Sequence, residues 1–192
     1  MPDAHPILEA KFDYAFFCLD QNQSGMLDKD DFLLLAERLQ DQQGWPADDA
    51  RYVRLKASLL DFWEMLLMCV DEDGNGQVDR SEFKLFEHLM AAQVVEFGGQ
   101  APPWALELVL SLFAAVDSDG DGLVELDEYG QFLSVMGSTM DPSAAFYKLD
   151  LDGSGTIEMD ELESLLVQYF TSTDVKDPGN YLLTGGWPAL DS

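Results

Sequence analysis

Asp117, Asp119 and Asp121 stand on alternate residues, followed at once by Gly122 and then, at the twelfth place of the stretch, by Glu128. Residues of these types at this spacing can hold a hard cation. The three aspartates offer carboxylate oxygens, and Gly122 allows a sharp turn that a side chain would oppose. Leu123 offers its backbone carbonyl, and Glu128 is long enough to reach back with both oxygens. The stretch from Asp117 to Glu128, DSDGDGLVELDE, therefore fits the calcium-loop pattern.

The pattern recurs in frame as DQNQSGMLDKDD from Asp20, DEDGNGQVDRSE from Asp71 and DLDGSGTIEMDE from Asp150, which excludes chance. The expected ligands are Asp20, Asn22, Ser24, Met26 and Asp31 in the first loop, and Asp71, Asp73, Asn75, Gln77 and Glu82 in the second. They are Asp117, Asp119, Asp121, Leu123 and Glu128 in the third, and Asp150, Asp152, Ser154, Thr156 and Glu161 in the fourth. Asp28, Asp79, Glu125 and Glu158, ninth in their loops, can act directly or through a water.

The third loop carries five carboxylates at these positions, the second and fourth four each, and the first three. The first loop also ends in Asp31 rather than Glu. Asp is one methylene shorter and brings both oxygens to an ion with difficulty, whereas one oxygen suits six-coordinate magnesium. The first loop is thus expected to be the weakest calcium site and the most magnesium-tolerant. Up to four calcium ions are expected in total.

Loops of this kind need a helix on either side. Leu8, Phe12, Ala15, Phe16 and Leu19 keep helical spacing before the first loop, and Phe32, Leu35, Ala36 and Leu39 keep it afterwards. Gly44-Trp45-Pro46 breaks the pattern, and Asp48 or Asp49 can start the next helix. From Leu59 to Val70 nearly every residue is apolar, which predicts a helix buried on more than one side and lying between two halves of the molecule. Phe83, Phe86, Met90 and Val94 follow the second loop. Trp104 to Val116 leads into the third, and Tyr129, Phe132, Leu133 and Met136 follow it before Gly137. Asp141-Pro142 predicts an N-cap with proline in the first turn of a short helix, which enters the fourth loop. Leu162, Leu165, Leu166, Tyr169 and Phe170 line the last helix.

The expected fold is all-α. Two paired lobes pack into one body, with β-bridges between paired loops at Leu27–Val78 and Val124–Ile157. The expected division is an N-terminal pair over 1–98, a linker over 99–103, a C-terminal pair over 104–172 and a tail over 173–192. Tyr181, Leu182, Leu183 and Trp187 predict that the tail packs on the core, because a free linker would not need them.

Composition sets outer limits. Ten Lys and Arg against 37 Asp and Glu give a net charge of −27, which disfavours nucleic acid and anionic membranes and favours cations. At 47% hydrophobic and 11% aromatic the chain can still build a core. The opening MPDAHPILEAKFD has no basic segment followed by an apolar run, and no stretch approaches a membrane span. Two cysteines, Cys18 and Cys69, are too few for a disulfide framework, so a reduced, cytoplasmic protein is expected, with both thiols read as buried. A monomer is also expected. The methionines mix with Phe and Leu in helical patterns and read as core. His5 and His88 read as structural. No constellation of catalytic residues is present, so an enzyme is not expected.

KFDYAFFCLDQNQSG, GWPADD before a Trp-containing helix, LDEYGQFL after the third loop and the tail KDPGNYLLTGGW resemble the sarcoplasmic calcium-binding proteins, with their relatives calexcitin and calerythrin. The resemblance implies four EF-hands in a compact two-lobed body, a tail folded over the core, and buffering of calcium and magnesium in the cytosol. Calexcitin-like members are credited with signalling, so a sensor that opens a groove to a target protein is the alternative. A carrier of an apolar ligand is the third reading. The related photoproteins rely on cavity histidines, one of them in the C-terminal hand. This chain has no histidine after His88, and it ends Leu190-Asp191-Ser192 without the proline usual there.

Overall fold

A computed structural model describes residues 5–188. Residues 1–4 and the last four residues of the expected tail, 189–192, lie outside that range. Among the described residues there are eight α-helices: α1 (Pro6–Leu19), α2 (Lys29–Gln43), α3 (Ala50–Val70), α4 (Arg80–Glu96), α5 (Pro103–Val116), α6 (Leu126–Val135), α7 (Pro142–Leu149) and α8 (Met159–Thr171). A 3-10 turn, Pro178–Tyr181, follows them.

Local chemistry sets the helix ends. Asp49 caps α3 by accepting from the Arg51 amide at 2.9 Å. Asp141 does the same for α7 through the Ser143 amide at 2.9 Å, with Pro142 in the first turn. The ninth residue of each loop is the N-cap of the helix that leaves it, so each loop starts its own exit helix.

The helices pair through their loops. Leu27 and Val78 exchange both backbone hydrogen bonds at 2.9 Å. Val124 and Ile157 do so at 3.2 and 2.9 Å. These bridges are the β structure among the described residues; no longer strand forms there.

The core runs without a break from one pair to the other. Phe12 of α1 meets Phe83 and Phe86 of α4 and Tyr169 and Phe170 of α8, with ring centroids 6.0–6.5 Å apart. Phe62 of α3 stacks on Trp104 of α5 at 6.0 Å and 17°. Burying each such side chain contributes roughly 1.5–3 kcal/mol. Ala101, between α4 and α5, is itself buried.

Helix α3 differs from its expectation. Its buried residues, Tyr52, Leu55, Leu59, Phe62, Trp63, Leu66 and Val70, form one helical stripe. Met68 is 81% exposed and Cys69 is also exposed, so the apolar run is wider than the buried face. The stripe nonetheless touches both neighbours, with Phe62 and Trp63 against Phe32 of α2 and Phe62 against Trp104 of α5. Cys18 is buried as expected, whereas Cys69 is not. Met90 and Met136 lie in the core, but Met159 is half exposed, so the methionines are not uniformly core.

The tail packs on the body. Tyr181, Leu182 and Trp187 are buried. Gly179 rests against α8 so closely that an added Cβ would lie 2.3 Å from Gln168 Cβ and 2.5 Å from the Leu165 carbonyl oxygen. Gly185, at φ +70°, turns the chain beside Leu133 and Met140. Tyr129 of α6 donates to the Tyr181 carbonyl, and Lys148 of α7 donates to the Tyr181 hydroxyl.

Candidate metal centres

Each loop folds around its first and last acidic residues. Asp20, Asp71, Asp117 and Asp150 accept backbone amides from within their own loops, so their oxygens are fixed at the loop centre. Asp117, for example, takes the amides of Gly120 at 2.7 Å and Gly122 at 3.0 Å. Asp150 takes Ser154 at 3.0 Å and Gly155 at 2.9 Å. Asp71 takes Gly74 at 2.9 Å and Gly76 at 3.1 Å.

The twelfth residue closes each loop. Glu82 accepts from the Glu72 and Asp79 amides at 3.0 and 2.9 Å. Glu128 accepts from Ser118 and Glu125 at 2.7 and 3.2 Å. Glu161 accepts from Leu151 and Glu158 at 2.8 and 2.9 Å. One carboxylate thus ties the second residue of the loop to the N-cap of the exit helix.

Carboxylate oxygens converge within 4.8 Å of one another at Asp71, Asp73 and Glu82, at Asp117, Asp119 and Glu128, and at Asp150, Asp152 and Glu161. This spacing suits oxygen ligands around one divalent cation. Glu125 joins Asp119 and Asp121 in a further group of the same kind within the third loop. Glu125 is pushed up to about 7, chiefly by the hydrogen bond it shares with Glu128. Two carboxyl groups held this close favour either a shared proton or a cation between them.

Asn75 and Ser154 take part in the hydrogen bonding of their own loops. Met26, Gln77, Leu123 and Thr156 sit at the seventh place of each loop, immediately before the β-bridge residue.

The first loop is built differently. Asp20 takes the Ser24 and Gly25 amides at 2.9 and 2.8 Å, and Asn22 takes Ser24 at 2.8 Å. Asp31, however, reaches the Asn22 amide at 3.1 Å, the third residue of the loop rather than the second. Its shorter side chain cannot span the distance that glutamate spans in the other loops. Asp31 is 1% exposed, and burial raises its pKa against the pull of the Asp28 and Asn22 amides. The fourth residue departs too. Gln23 has φ +58°, where the other loops place Gly74, Gly120 and Gly153. A side chain in that region costs on the order of 1 kcal/mol or more. The second residue, Gln21, is buried, and its side-chain oxygen accepts from Arg38 at 2.5 Å. The missing fourth-place glycine is visible in the sequence, but the Arg38–Gln21 contact is not.

Four helix–loop–helix units, joined two by two through antiparallel bridges, define an EF-hand protein. The EF hand family model matches residues 65–86, 108–133 and 143–167, which take in the second, third and fourth loops. The chain is similar to the sarcoplasmic calcium-binding proteins I, III and IV of Branchiostoma lanceolatum, at 29% identity over 123 residues. That match covers 64% of this chain and 65% of the lancelet protein, so it spans just under two thirds of the relative. The solved structure of a sarcoplasmic calcium-binding protein from amphioxus superposes with a TM-score of 0.75 at 24% identity, over 95% of this chain and 98% of that one. A Streptomyces coelicolor calcium-binding protein, described in the context of prokaryotic calcium-mediated regulation, gives 0.72 at 25% identity, over 85% and 98%. The chain therefore carries EF-hands, and in fold and in loop pattern it is similar to the sarcoplasmic calcium-binding proteins. Among the described residues no helix is long and apolar enough to cross a membrane.

Proposed function

We propose that this protein is a cytosolic calcium buffer. The second, third and fourth loops hold calcium through the residues named for them above, and the first loop exchanges calcium with magnesium. The observation that carries the reading is the buried tail. In a sensor, calcium uncovers an apolar groove for a target helix. Here Tyr181, Leu182 and Trp187 are buried against the body, and the α3–α5 contact runs the two pairs into one core. Closure of this kind supports ion uptake with little change of shape. The pairs 1–98 and 104–172 then act as two loading units of one monomer, with no enzymatic step.

The test is the binding of an apolar dye, read together with Trp fluorescence, first in magnesium and then with calcium added. A buffer gives little added dye binding. A several-fold rise on calcium addition would replace this reading with the sensor.

A further inference from the structure

Lys11 of α1 is 0% exposed. Its ammonium donates to Asn180 Oδ1 at 3.0 Å and lies 5.1 Å from the centroid of the Tyr169 ring. Glu87 of α4 and Asp177 of the tail act on it electrostatically, but among the described residues neither carboxylate comes within the 4.0 Å of an ion pair. Desolvation outweighs their pull and brings Lys11 down to about 7. Glu87 is itself buried, with Oε2 lacking a hydrogen-bond partner, and burial raises its pKa. The junction of α1, α4, α8 and the tail therefore holds a poorly compensated charge, which is costly in a dry interior.

Asn180 is aimed at that charge. It is 0% exposed, and its Nδ2 donates to the Asp174 carbonyl at 2.8 Å, so the amide oxygen is turned toward Lys11. The preceding Gly179 amide donates to Gln168 Oε1 at 2.9 Å, seating the turn on α8. Just beyond, Leu183 and Thr184 form part of the wall of a central apolar cavity of about 70 Å³, opposite Phe12, Phe83 and Phe86. Lifting these two residues would remove part of that wall.

We propose that the Lys11–Asn180 hydrogen bond is the clasp that joins residues 178–187, the strap of tail docked on the body, to the N-terminal half. Tyr129, Lys148 and Gln168 hold the strap to the C-terminal hands, whereas Lys11 reaches it from α1. The clasp is the point at which the closed form is easiest to undo, since its single hydrogen bond must compensate a buried ammonium.

Hydrogen exchange of peptides covering 178–188, followed by mass spectrometry on the full-length calcium-saturated protein, tests this. Asn180→Leu leaves the ammonium buried without its acceptor and is expected to speed exchange of the strap about tenfold or more, with peptides from α2 and α3 unchanged. Adding Lys11→Met to Asn180→Leu replaces the polar pair by an apolar one and should recover most of the protection. Lys11→Met alone strands the Asn180 oxygen and should speed exchange several-fold. That variant keeps the test available if Asn180→Leu does not fold. Native exchange in either single variant would overturn the clasp. A double variant as fast as Asn180→Leu would also overturn it, because Asn180 would then serve only to shape the turn.

Discussion

The first and third loops have the same length and the same helical frame, yet they close in different ways. Glu128 reaches the Ser118 amide at the second place of its loop, while Asp31 stops at Asn22, the third. Gly120 takes its left-handed turn without a side chain, while Gln23 takes the same turn with one. Two overlapping carboxylate groups form in the third loop, and none forms among the described residues of the first. One methylene and one missing glycine thus separate two sites that share a motif. The motif sets the loop path, and its exceptions are the basis on which we propose a different ion preference for the first loop. The halves differ in a second respect, since the strap docks mainly on the helices of the C-terminal pair.

Removing the metal should have the largest effect. Cations that bind only the native form stabilise it by mass action, by about 4 kcal/mol per site at a thousand times the Kd. Excess chelator should therefore lower the melting temperature by more than about 20 °C, read by circular dichroism. An unchanged melt would remove the basis for treating any of the loops as ion sites. Next in size is Gly179→Ala. The added methyl has no room against Gln168 and Leu165, and denaturant melts of the calcium-loaded protein should show a loss of about 2–3 kcal/mol. The same change at the exposed Gly44, whose surroundings are open, should not displace the strap.

A pH effect of about 2 kcal/mol should come from Lys11. Its native value, about 7, lies below the ordinary 10.5, so between those values the unfolded chain binds more protons. Stability must then rise with pH across that window, and below about 7 the penalty is complete. Urea melts in saturating calcium from pH 7 to pH 9 should show the rise, and Lys11→Met should flatten it. Smaller changes should make the first loop resemble the third. Asp31→Glu should shift its preference from magnesium toward calcium by about tenfold. Gln23→Gly should tighten it by about threefold through relief of the left-handed turn, part of which the entropy of glycine takes back. If neither variant moves the first loop, the difference between the loops lies elsewhere.

Much of the fold and of the candidate loop geometry is legible in the amino-acid sequence. Periodic carboxylates with a sixth-place glycine define each loop, and the aromatic residues after residue 173 indicate a docked tail. The bridges at Leu27–Val78 and Val124–Ile157 follow from loop pairing alone. Hydrophobicity does not supply direction. The run from Leu59 to Val70 points to burial all round, but only one stripe is covered, because composition does not say which side another helix will reach. Cys69 lies on the uncovered side of the same run, which is why its thiol is exposed rather than buried. Lys11 is not legible at all. A lone lysine in an amphipathic stretch reads as surface, and the acceptor it meets in the interior, Asn180, lies 169 residues away.

The inequality of the four loops is tested most directly by a calcium titration of the whole protein in millimolar magnesium. Bound ions are counted by equilibrium dialysis, and the loops are followed separately by backbone amide NMR at Gly25, Gly76, Gly122 and Gly155. Calcium is expected at the second, third and fourth loops at low free calcium, while Gly25 keeps its magnesium-state shift until calcium is in large excess. Calcium filling the first loop before the other three would contradict the assignment of that loop as the weakest calcium site.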